Sequence, residues 1–320
     1  MKFEDVEKAR VKYEEKRKNV QKKAVLVTII IVGVILLVRL LTTTRDVRRI
    51  FAQLFDFSVT NIMLLIFAVL LVCFFVYVVA NLVARFSTRE ESHAYVYAYK
   101  AYFISQQLAK TFTDLKYDHY AGLNKALLDA TGMIYTGDRY LSNDLTQGKY
   151  KNVNFSQADV TIQREVKDGD TDTTVRYITV FKGRYMIFEF PKKFDFRMVV
   201  TSHATLITPR GRKGREFKHI ELESPEFNKF FEVYAEDGFE AFYILDPAII
   251  SSIEDLGREY EYRLTLYFDE NKLIIGINNG NDSFEPPSPN KPLDEAKELE
   301  KVTKEIKTIT HFVDMLKLDK

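Results

Sequence analysis

The chain has 320 residues, of which 28% are charged, 46% hydrophobic and 13% aromatic, and its formal net charge is +1. This composition excludes a disordered chain, a disulfide scaffold and a strongly basic nucleic-acid binder. The charge is divided unevenly, because residues 1–85 carry 14 Lys and Arg against 7 Asp and Glu, whereas residues 86–320 carry 32 against 38. A basic, apolar N-terminal part and an acidic tail predict a membrane-anchored protein rather than a wholly soluble one.

The first element is a basic segment, residues 1–23, followed by a predicted transmembrane helix over residues 24–44. The 15 uncharged residues from Ala24 to Val38 would cover about 22 Å as a helix. Continuing to Thr44 brings the helix to about 30 Å, the thickness of the hydrocarbon core, provided that Arg39 directs its guanidinium toward the headgroups. A cleaved signal peptide is the alternative. The preceding segment is acidic as well as basic and no small-residue cleavage site follows, which favours an uncleaved anchor.

A second transmembrane helix is predicted over residues 58–85. The 28 uncharged residues from Phe57 to Ala84 would form a helix about 42 Å long, which is more than enough to cross a bilayer. The central portions of both helices contain no Asp, Glu, Lys or His. Such residues usually line an ion or proton pathway, so the two helices are predicted to be anchors.

The basic residues near the helix ends predict the orientation. Ten Lys and Arg lie in residues 9–23 and just after the second helix, against four in and beside the connecting loop. Because basic residues are enriched on the cytoplasmic side, both termini are predicted to be cytoplasmic, at the cell inner membrane, with a short external loop over residues 45–57. The single cysteine, Cys73, lies within the second helix and does not bear on the orientation.

The tail is predicted to contain a helical connector, residues 86–132, and a cytoplasmic α+β domain, residues 133–320, with packed helices and a mainly antiparallel sheet. Apolar residues spaced by three and four from Ala94 to Leu115 predict a helix, and a second helix is predicted over residues 122–131. Alternating and β-branched patterns predict seven strands, with Gly183 at a bulge or turn. These strands cover residues 160–166, 175–190, 196–206, 217–222, 239–245, 262–268 and 273–277.

Three further helices are predicted from their start signals. Ser224 and Asp246 each precede a proline, an arrangement typical of a capped helix N-terminus. The last helix is predicted to begin near Pro292, and it carries an apolar stripe from Leu299 to Leu316 that would pack inside the tail or against a partner helix.

The usual catalytic and cofactor motifs are missing from the sequence. The five histidines have no metal-binding spacing, and the glycines match neither a P-loop nor a dinucleotide-binding loop. His219 and Glu221 share a strand face, where a general base and a surface polar pair are both compatible with the pattern. Asp168, Asp170 and Asp172 alternate, but the Gly and Glu of an EF-hand loop are not in place, which favours a solvated hairpin tip. No catalytic residue, cofactor or metal ligand is predicted.

One basic cluster stands out against the acidic tail. Its members fall within nine residues and are Arg210, Arg212, Lys213, Arg215 and Lys218. A soluble hairpin turn explains such a cluster, and contact with anionic lipid headgroups or phosphate is the functional alternative. A nucleic-acid partner is not expected, because no aromatic stacking motif accompanies the basic residues.

Three stretches of the tail carry a family resemblance. They are Gly-Asp-Arg-Tyr-Leu-Ser-Asn-Asp-Leu-Thr-Gln-Gly at 137–148, Val-Phe-Lys-Gly at 180–183, and Glu-Ser-Pro-Glu-Phe-Asn-Lys-Phe-Phe-Glu-Val-Tyr-Ala-Glu-Asp at 223–237. With them the chain resembles a family of bacterial two-span membrane proteins known as domain of unknown function number three-one-three-seven. The resemblance implies a membrane-tethered cytoplasmic domain without established catalytic residues, and a membrane-protein partner of the LemA type.

Taken together, these patterns predict a membrane-anchored cytoplasmic binding or scaffolding protein rather than an enzyme. Its expected partners are the lipid bilayer and a membrane protein, with the final helix and the aromatic segment 227–234 as the surfaces to map. The alternative is an enzyme, or a small-ligand or anionic-lipid sensor, at the inner face of the membrane.

Overall fold

A computed structural model describes residues 1–42, 59–167, 175–189, 196–203 and 216–318. The chain divides into two compact units. The first contains Met1–Tyr102 and Pro286–Asp294, and the second contains Phe103–Glu285 and Glu295–Lys320. The predicted external loop, residues 45–57, lies outside the described residues.

The first unit is helical. Helix α1 covers Phe3–Thr42 and therefore joins the basic N-terminal segment and the first apolar stretch, Ala24–Val38, in one helix. Helices α2 (Val59–Ser87) and α3 (Arg89–Tyr99) follow. Polar side chains connect these helices: the amide of Gln21 donates to the Asn81 side-chain oxygen at 3.0 Å, and the Lys16 ammonium lies 2.6 Å from the Glu91 carboxylate.

Segment 286–294 belongs to the same unit and is held by polar contacts to α1 and α3. The guanidinium of Arg10, which is buried, donates to the carbonyl oxygen of Pro289. The amide of Leu293 donates to the Glu7 carboxylate at 3.4 Å, and the hydroxyl of Tyr95 donates to the carbonyl of Pro287 at 3.1 Å. These bonds give this proline-containing segment partners for its backbone groups.

Large apolar side chains are exposed along α1 and α2. On α1 they include Leu26, Val27, Ile29, Ile30 and Ile31, and on α2 they include Phe67, Leu70, Leu71, Phe74, Phe75 and Phe86. Within the described part of the chain, one helical segment, Leu70–Ser87, is long and apolar enough to cross a membrane, with a mean hydropathy of 2.0. It indicates membrane association. The first span at 24–44 stays a prediction.

The second unit contains a mixed arrangement of helices and an antiparallel sheet, as predicted. Its described residues form nine strands in the spatial order β1-β2-β3-β4-β9-β8-β5-β7-β6. The strands are β1 Thr113–Asp118, β2 Arg139–Tyr150, β3 Val153–Lys167, β4 Val175–Glu189, β5 Arg197–Ser202, β6 Lys218–Ile220, β7 Phe231–Ala235, β8 Leu264–Asp269 and β9 Lys272–Ile277. Every pairing is antiparallel.

A π-helical turn, Lys100–Ile104, precedes the helices of this unit. These helices are α4 Ser105–Thr111, α5 Lys125–Ala130, α6 Pro225–Phe230, α7 Gly238–Ile244, α8 Pro247–Glu259 and α9 Glu295–Met315. The predicted start signals of two of them are confirmed, because the side chains of Ser224 and Asp246 accept backbone N–H groups at the beginnings of α6 and α8. A cap of this kind satisfies a donor that the first helical turn leaves without a partner.

Several predicted elements are wrong or incomplete. The strand predicted over residues 239–245 is wrong, because these residues lie in helix α7, Gly238–Ile244, and at its end. The carboxylate of Asp237 accepts the N–H groups of Phe239 and Glu240 and starts this helix. The helix predicted through Leu115 ends at Thr111, where Phe112 turns to an extended conformation. Strands β1, β2 and β7 were not predicted. The alternation of β1 and β2 is weak, since both are rich in polar residues. Strand β7 does alternate, with Phe231, Val233 and Ala235 buried, but it is short and directly follows helix α6.

The core of the second unit lies against the central strands. Its buried members include Leu128, Val160, Tyr185, Val199, Tyr267 and Ile274. The predicted apolar stripe of the last helix is confirmed, since α9 buries Val302, Ile306, Ile309, Phe312 and Val313. One of its contacts is a stacked pair of rings, Phe312 and Tyr260, at 5.5 Å.

Candidate functional site

Of the predicted basic cluster, the structure describes Lys218, whereas Arg210, Arg212, Lys213 and Arg215 lie outside the described residues. Lys218 is exposed and begins β6, the strand at one edge of the sheet, opposite Ala235 of β7. His219 and Glu221 are exposed at the same edge, and the His219 ring contacts the Tyr234 ring at 5.4 Å. The aspartates at 168, 170 and 172 also lie outside the described residues.

Helix α7 presents an exposed aromatic surface at this edge. Phe239, Phe242 and Tyr243 are 84%, 49% and 67% exposed, whereas Ala241 and Leu245 on the opposite side are buried. Positions three and four apart share one side of a helix, so these three rings form one surface. We call Phe239, Phe242 and Tyr243 the aromatic face.

Acidic residues surround the aromatic face. Asp237 caps α7, Glu240 lies within it and Asp246 caps α8, and all three are exposed. A Cβ atom on Gly238 would lie 3.1 Å from the Cδ1 atom of Ile220, which places the start of α7 against the edge strand β6. By contrast, Phe227 and Phe231 of the predicted partner segment 227–234 are buried. A strand was predicted at 239–245. In a strand, the three rings would not share one surface, so the sequence did not predict the aromatic face.

A second feature is a group of acidic side chains in the second unit. It consists of Asp144 of β2, Asp159 of β3, and Asp282 and Glu285 from the loop after β9. We call these four residues the carboxylate cluster. One carboxylate oxygen from each of Asp144, Asp282 and Glu285 lies within 4.8 Å of the other two. The residues come from three separate parts of the chain, and neither their spacing nor their neighbours predicted the cluster.

A β-bulge directs Asp144 into the protein. The register between β2 and β3 shifts between Asn143 and Thr146, and Asp144 has a φ of 60°, which is uncommon for a residue other than glycine. The side chain is 1% exposed. Its carboxylate accepts hydrogen bonds from the Tyr117 hydroxyl at 2.6 Å and from the Asn143 amide at 2.7 Å.

Asp159 is 4% exposed and only partly provided with hydrogen bonds. Its Oδ2 atom accepts from the Ser283 backbone N–H at 3.1 Å, but its Oδ1 atom is buried without a hydrogen-bond partner. The nearest described cation contact to Oδ1 is the Nε atom of Arg184, at 3.8 Å. The Arg184 guanidinium donates instead to the carbonyl and carboxylate of Glu305, at 2.9 and 3.2 Å. The Oδ1 atom of Asp282 is also buried without a hydrogen-bond partner.

Burial dominates the electrostatics of two groups in and beside the cluster, Asp159 and Tyr117. Burial raises the pKa of Asp159 to about 7, with Asp282 and Asp144 adding to the rise and Arg184 opposing it. Burial, and after it the Asp144 carboxylate, raise the pKa of Tyr117 well above 10, so its hydroxyl stays a proton donor.

A cleft of about 800 Å³ lies nearby in the same unit. Its lining is polar and carries both signs of charge, and it includes Arg184, Tyr260, Arg263, Glu305, Thr308 and His311. At its rim the His311 ring lies 2.9 Å from the Glu259 carboxylate. A polar small molecule would fit such a space.

A family model of unknown function matches part of the chain. Residues 179–318 match the family described as "Protein of unknown function (DUF3137)", which includes α7, Arg184, Asp282 and Glu285 but not Asp144 or Asp159. The expected resemblance is thus confirmed for this part of the chain. No curated protein matches the sequence significantly.

One solved structure is similar in part. It is the crystal structure of the mycobacterial trehalose monomycolate transport factor A, TtfA, with 9% sequence identity and a TM-score of 0.37. The similarity covers 70% of this chain and 94% of that chain. At this TM-score it carries no argument about fold or function.

Proposed function

We propose that this protein is a non-enzymatic binding module anchored in the inner membrane by two spans, residues 24–44 and 58–85, with both termini in the cytoplasm. The candidate span Leu70–Ser87 and the exposed apolar side chains of α1, from Leu26 to Ile31, support this anchoring. Exposing such an apolar surface to water is unfavourable in free energy, whereas contact with the hydrocarbon of a bilayer is not.

The aromatic face is the observation that carries the binding function. Most large apolar side chains of the second unit lie in its core, yet three aromatic rings of α7 point outward together. Contiguous exposed apolar surface marks a site of interaction, and Phe and Tyr are enriched at the centres of protein interfaces. The rings serve as anchors for a partner.

The charges around the aromatic face favour a protein partner over a lipid surface. Anionic headgroups would repel the carboxylates of Asp237, Glu240 and Asp246. The same carboxylates are complementary in charge to a protein that surrounds an apolar pocket with basic residues. The partner is a membrane protein or a protein at the membrane surface, because the anchor concentrates the module there. A LemA-like membrane protein, implied by the family resemblance, is the first candidate.

Contact with anionic lipid is the second candidate function. It rests on the basic cluster, whose described member, Lys218, is exposed on the edge strand β6. Each basic residue near an anionic surface contributes about 1 kcal/mol.

A photo-crosslinking amino acid at Phe239 of the full-length protein, in cells, tests the proposal. A matched variant carries the same crosslinker at Leu141, which is 65% exposed in β2 of the same unit. We expect one membrane protein to crosslink from position 239 and not from position 141. The purified pair should then bind, and Phe239→Ser with Phe242→Ser should weaken that binding at least tenfold.

Two results would contradict this proposal. Crosslinks from position 239 to lipid alone would make the aromatic face a membrane contact. Equal binding by the double serine variant would place the interface elsewhere. A separate variant, with Arg210, Arg212, Lys213 and Arg215 changed to Gln, tests lipid contact by its adsorption to vesicles containing phosphatidylglycerol.

A further inference from the structure

We propose that the cleft beside α9 binds a small polar molecule that carries a phosphate or carboxylate group. This inference goes beyond the proposed partner, because the residues that line the cleft are different from those of the aromatic face. The cleft has a volume of about 800 Å³. Sites for small molecules typically have volumes of roughly 300–1,000 Å³.

One wall of the cleft is the polar side of α9. Four of its lining residues follow one another at spacings of four, three and four, and they are Glu300, Lys304, Lys307 and His311. Residues at these spacings share one side of a helix. The opposite side of α9 carries the buried apolar stripe described above. Packing in the core therefore directs the charged side of this helix into the cleft.

The other wall consists of the end of α8, the turn that follows it and the loop after β9, and it is already held in place. The Asn278 N–H donates to the carbonyl oxygen of Arg263 at 2.9 Å, and the Arg263 N–H donates to the carbonyl oxygen of Tyr260 at 3.0 Å. The Tyr260 ring in turn stacks on Phe312 of α9. Because both walls are fixed without a ligand, binding costs little ordering entropy.

The charges of the lining favour an anionic ligand. Three of its acidic side chains already lie against basic ones, in the pairs Glu305 with Arg184, Glu259 with His311 and Glu261 with Arg263, at 3.2, 2.9 and 3.7 Å.

Two ammonium groups of the lining remain. Lys304 and Lys307 are exposed, and neither has a carboxylate within 4.0 Å among the described residues. They are neighbours on one side of α9, so a single anionic group between them would reduce their mutual repulsion. Charge-assisted hydrogen bonds from ammonium groups to phosphate or carboxylate oxygens are among the strongest in proteins.

A buried hydroxyl group in the cleft gives an independent reason to place a ligand there. Ser283 lines the cleft and is 5% exposed, and its hydroxyl makes no hydrogen bond to any described residue. Burying a hydroxyl without a partner is unfavourable. The side-chain amide of Asn281 and the hydroxyl of Thr303 also line the cleft without a hydrogen-bond partner in the described part of the chain. All three groups can donate to the oxygens of a phosphate or carboxylate.

Isothermal titration calorimetry of the full-length protein in a non-ionic detergent tests the site. The probes are inorganic pyrophosphate, citrate and the uncharged polyol myo-inositol. We expect pyrophosphate or citrate to bind and to raise the unfolding temperature, whereas myo-inositol should do neither. The anion that binds more tightly distinguishes a phosphate from a carboxylate ligand. Equal binding of myo-inositol would contradict the proposal, and so would the absence of binding and of a thermal shift with both anions at about 10 mM.

Variants of opposite charge on α9 locate the site. Lys304→Gln with Lys307→Gln should weaken binding of the anion at least tenfold. Glu300→Gln, on the same side of the helix, should strengthen it at least twofold, because it removes a negative charge that repels the ligand. Ser283→Ala should weaken binding without lowering the unfolding temperature of the unliganded protein, since it removes a hydroxyl that has no partner there.

A matched control separates the cleft from general attraction between charges. Lys110→Gln with Lys229→Gln removes the same charge from exposed positions in α4 and α6 of the same unit. This control should bind the anion like wild type. If it weakened binding as much as the change at Lys304 and Lys307, the cleft would not be the site and the proposal would be overturned.

Discussion

At Gly183 the backbones of two strands come unusually close. A Cβ atom there would lie 1.9 Å from the carbonyl oxygen of Ile277, and the φ of Gly183 is +156°. The sequence suggested a bulge or turn at this glycine, but β4 continues through it, with Gly183 paired to Val160. The irregularity of β4 lies between Thr179 and Phe181 instead. The absence of a side chain thus permits the close approach of Ile277, at the end of β9, which local sequence cannot reveal.

Replacing this glycine should therefore destabilise the second unit. Gly183→Ala must displace backbone atoms rather than a flexible side chain, so we expect a loss of about 1–3 kcal/mol or more in the free energy of unfolding. Urea denaturation of the full-length protein in detergent measures it. Gly238→Ala is the matched control, because its Cβ would meet only the mobile end of Ile220, at 3.1 Å. Equal stability of the two variants would show that the strands can separate at little cost.

At the scale of elements, capping residues at helix starts predicted the helices of the second unit better than apolar periodicity did. The capping residues Ser224 and Asp246 identified α6 and α8 correctly, because a cap acts within three residues of itself. Asp237 carries the same signal and caps α7, whereas the aromatic and β-branched residues at 239–245 favour a strand in the sequence pattern. In the first unit, α1 continues without a break through the border of the predicted span, and it meets α3 through Lys16 and Glu91.

The Lys16–Glu91 pair should make the first unit sensitive to acid. A hydrogen bond from Lys16 lowers the pKa of Glu91 below its usual value of 4.5. The pair therefore stabilises the folded unit fully above about pH 4.5 and loses this effect as the pH falls through the lowered pKa. Thermal unfolding of the full-length protein between pH 7 and pH 3.5 should show a smaller acid-induced decrease for Glu91→Gln than for wild type. Glu90→Gln changes an exposed neighbour and should show the same acid-induced decrease as wild type. If both variants reduced that decrease equally, the Lys16–Glu91 pair would not be the cause of the acid sensitivity.

At the scale of the whole molecule, the decisive feature is the contrast between apolar helices and an acidic, folded tail. The first unit exposes Leu, Ile, Val and Phe side chains along α1 and α2, whereas the second unit buries its apolar residues around a nine-stranded sheet. Basic residues are enriched on the cytoplasmic side of membrane helices. Their distribution in this chain therefore predicts the orientation that the proposed function requires.

Cysteine accessibility tests the proposed two-span topology. In a Cys73→Ser background, Arg48→Cys in the connecting loop should react with a membrane-impermeant maleimide in intact spheroplasts. Asp255→Cys in the tail should react only after the membrane is opened. Labelling of Asp255→Cys in intact spheroplasts would invert the orientation. If both cysteines reacted only after lysis, the connecting loop would not reach the outer side of the membrane.

The sequence by itself determined the properties that depend on neighbouring residues: two long apolar stretches, the mixed helix and antiparallel-sheet class, two capped helix starts and the apolar stripe of α9. The tertiary structure decided what depends on distant ones. Asp144, Asp159 and Asp282 meet because a bulge in β2, the pairing of β2 with β3 and the loop after β9 bring them together. Phe239, Phe242 and Tyr243 form a surface because their helix buries its other side. Burial and proximity result from packing between segments far apart in the chain, and for that reason no local pattern encodes either candidate site.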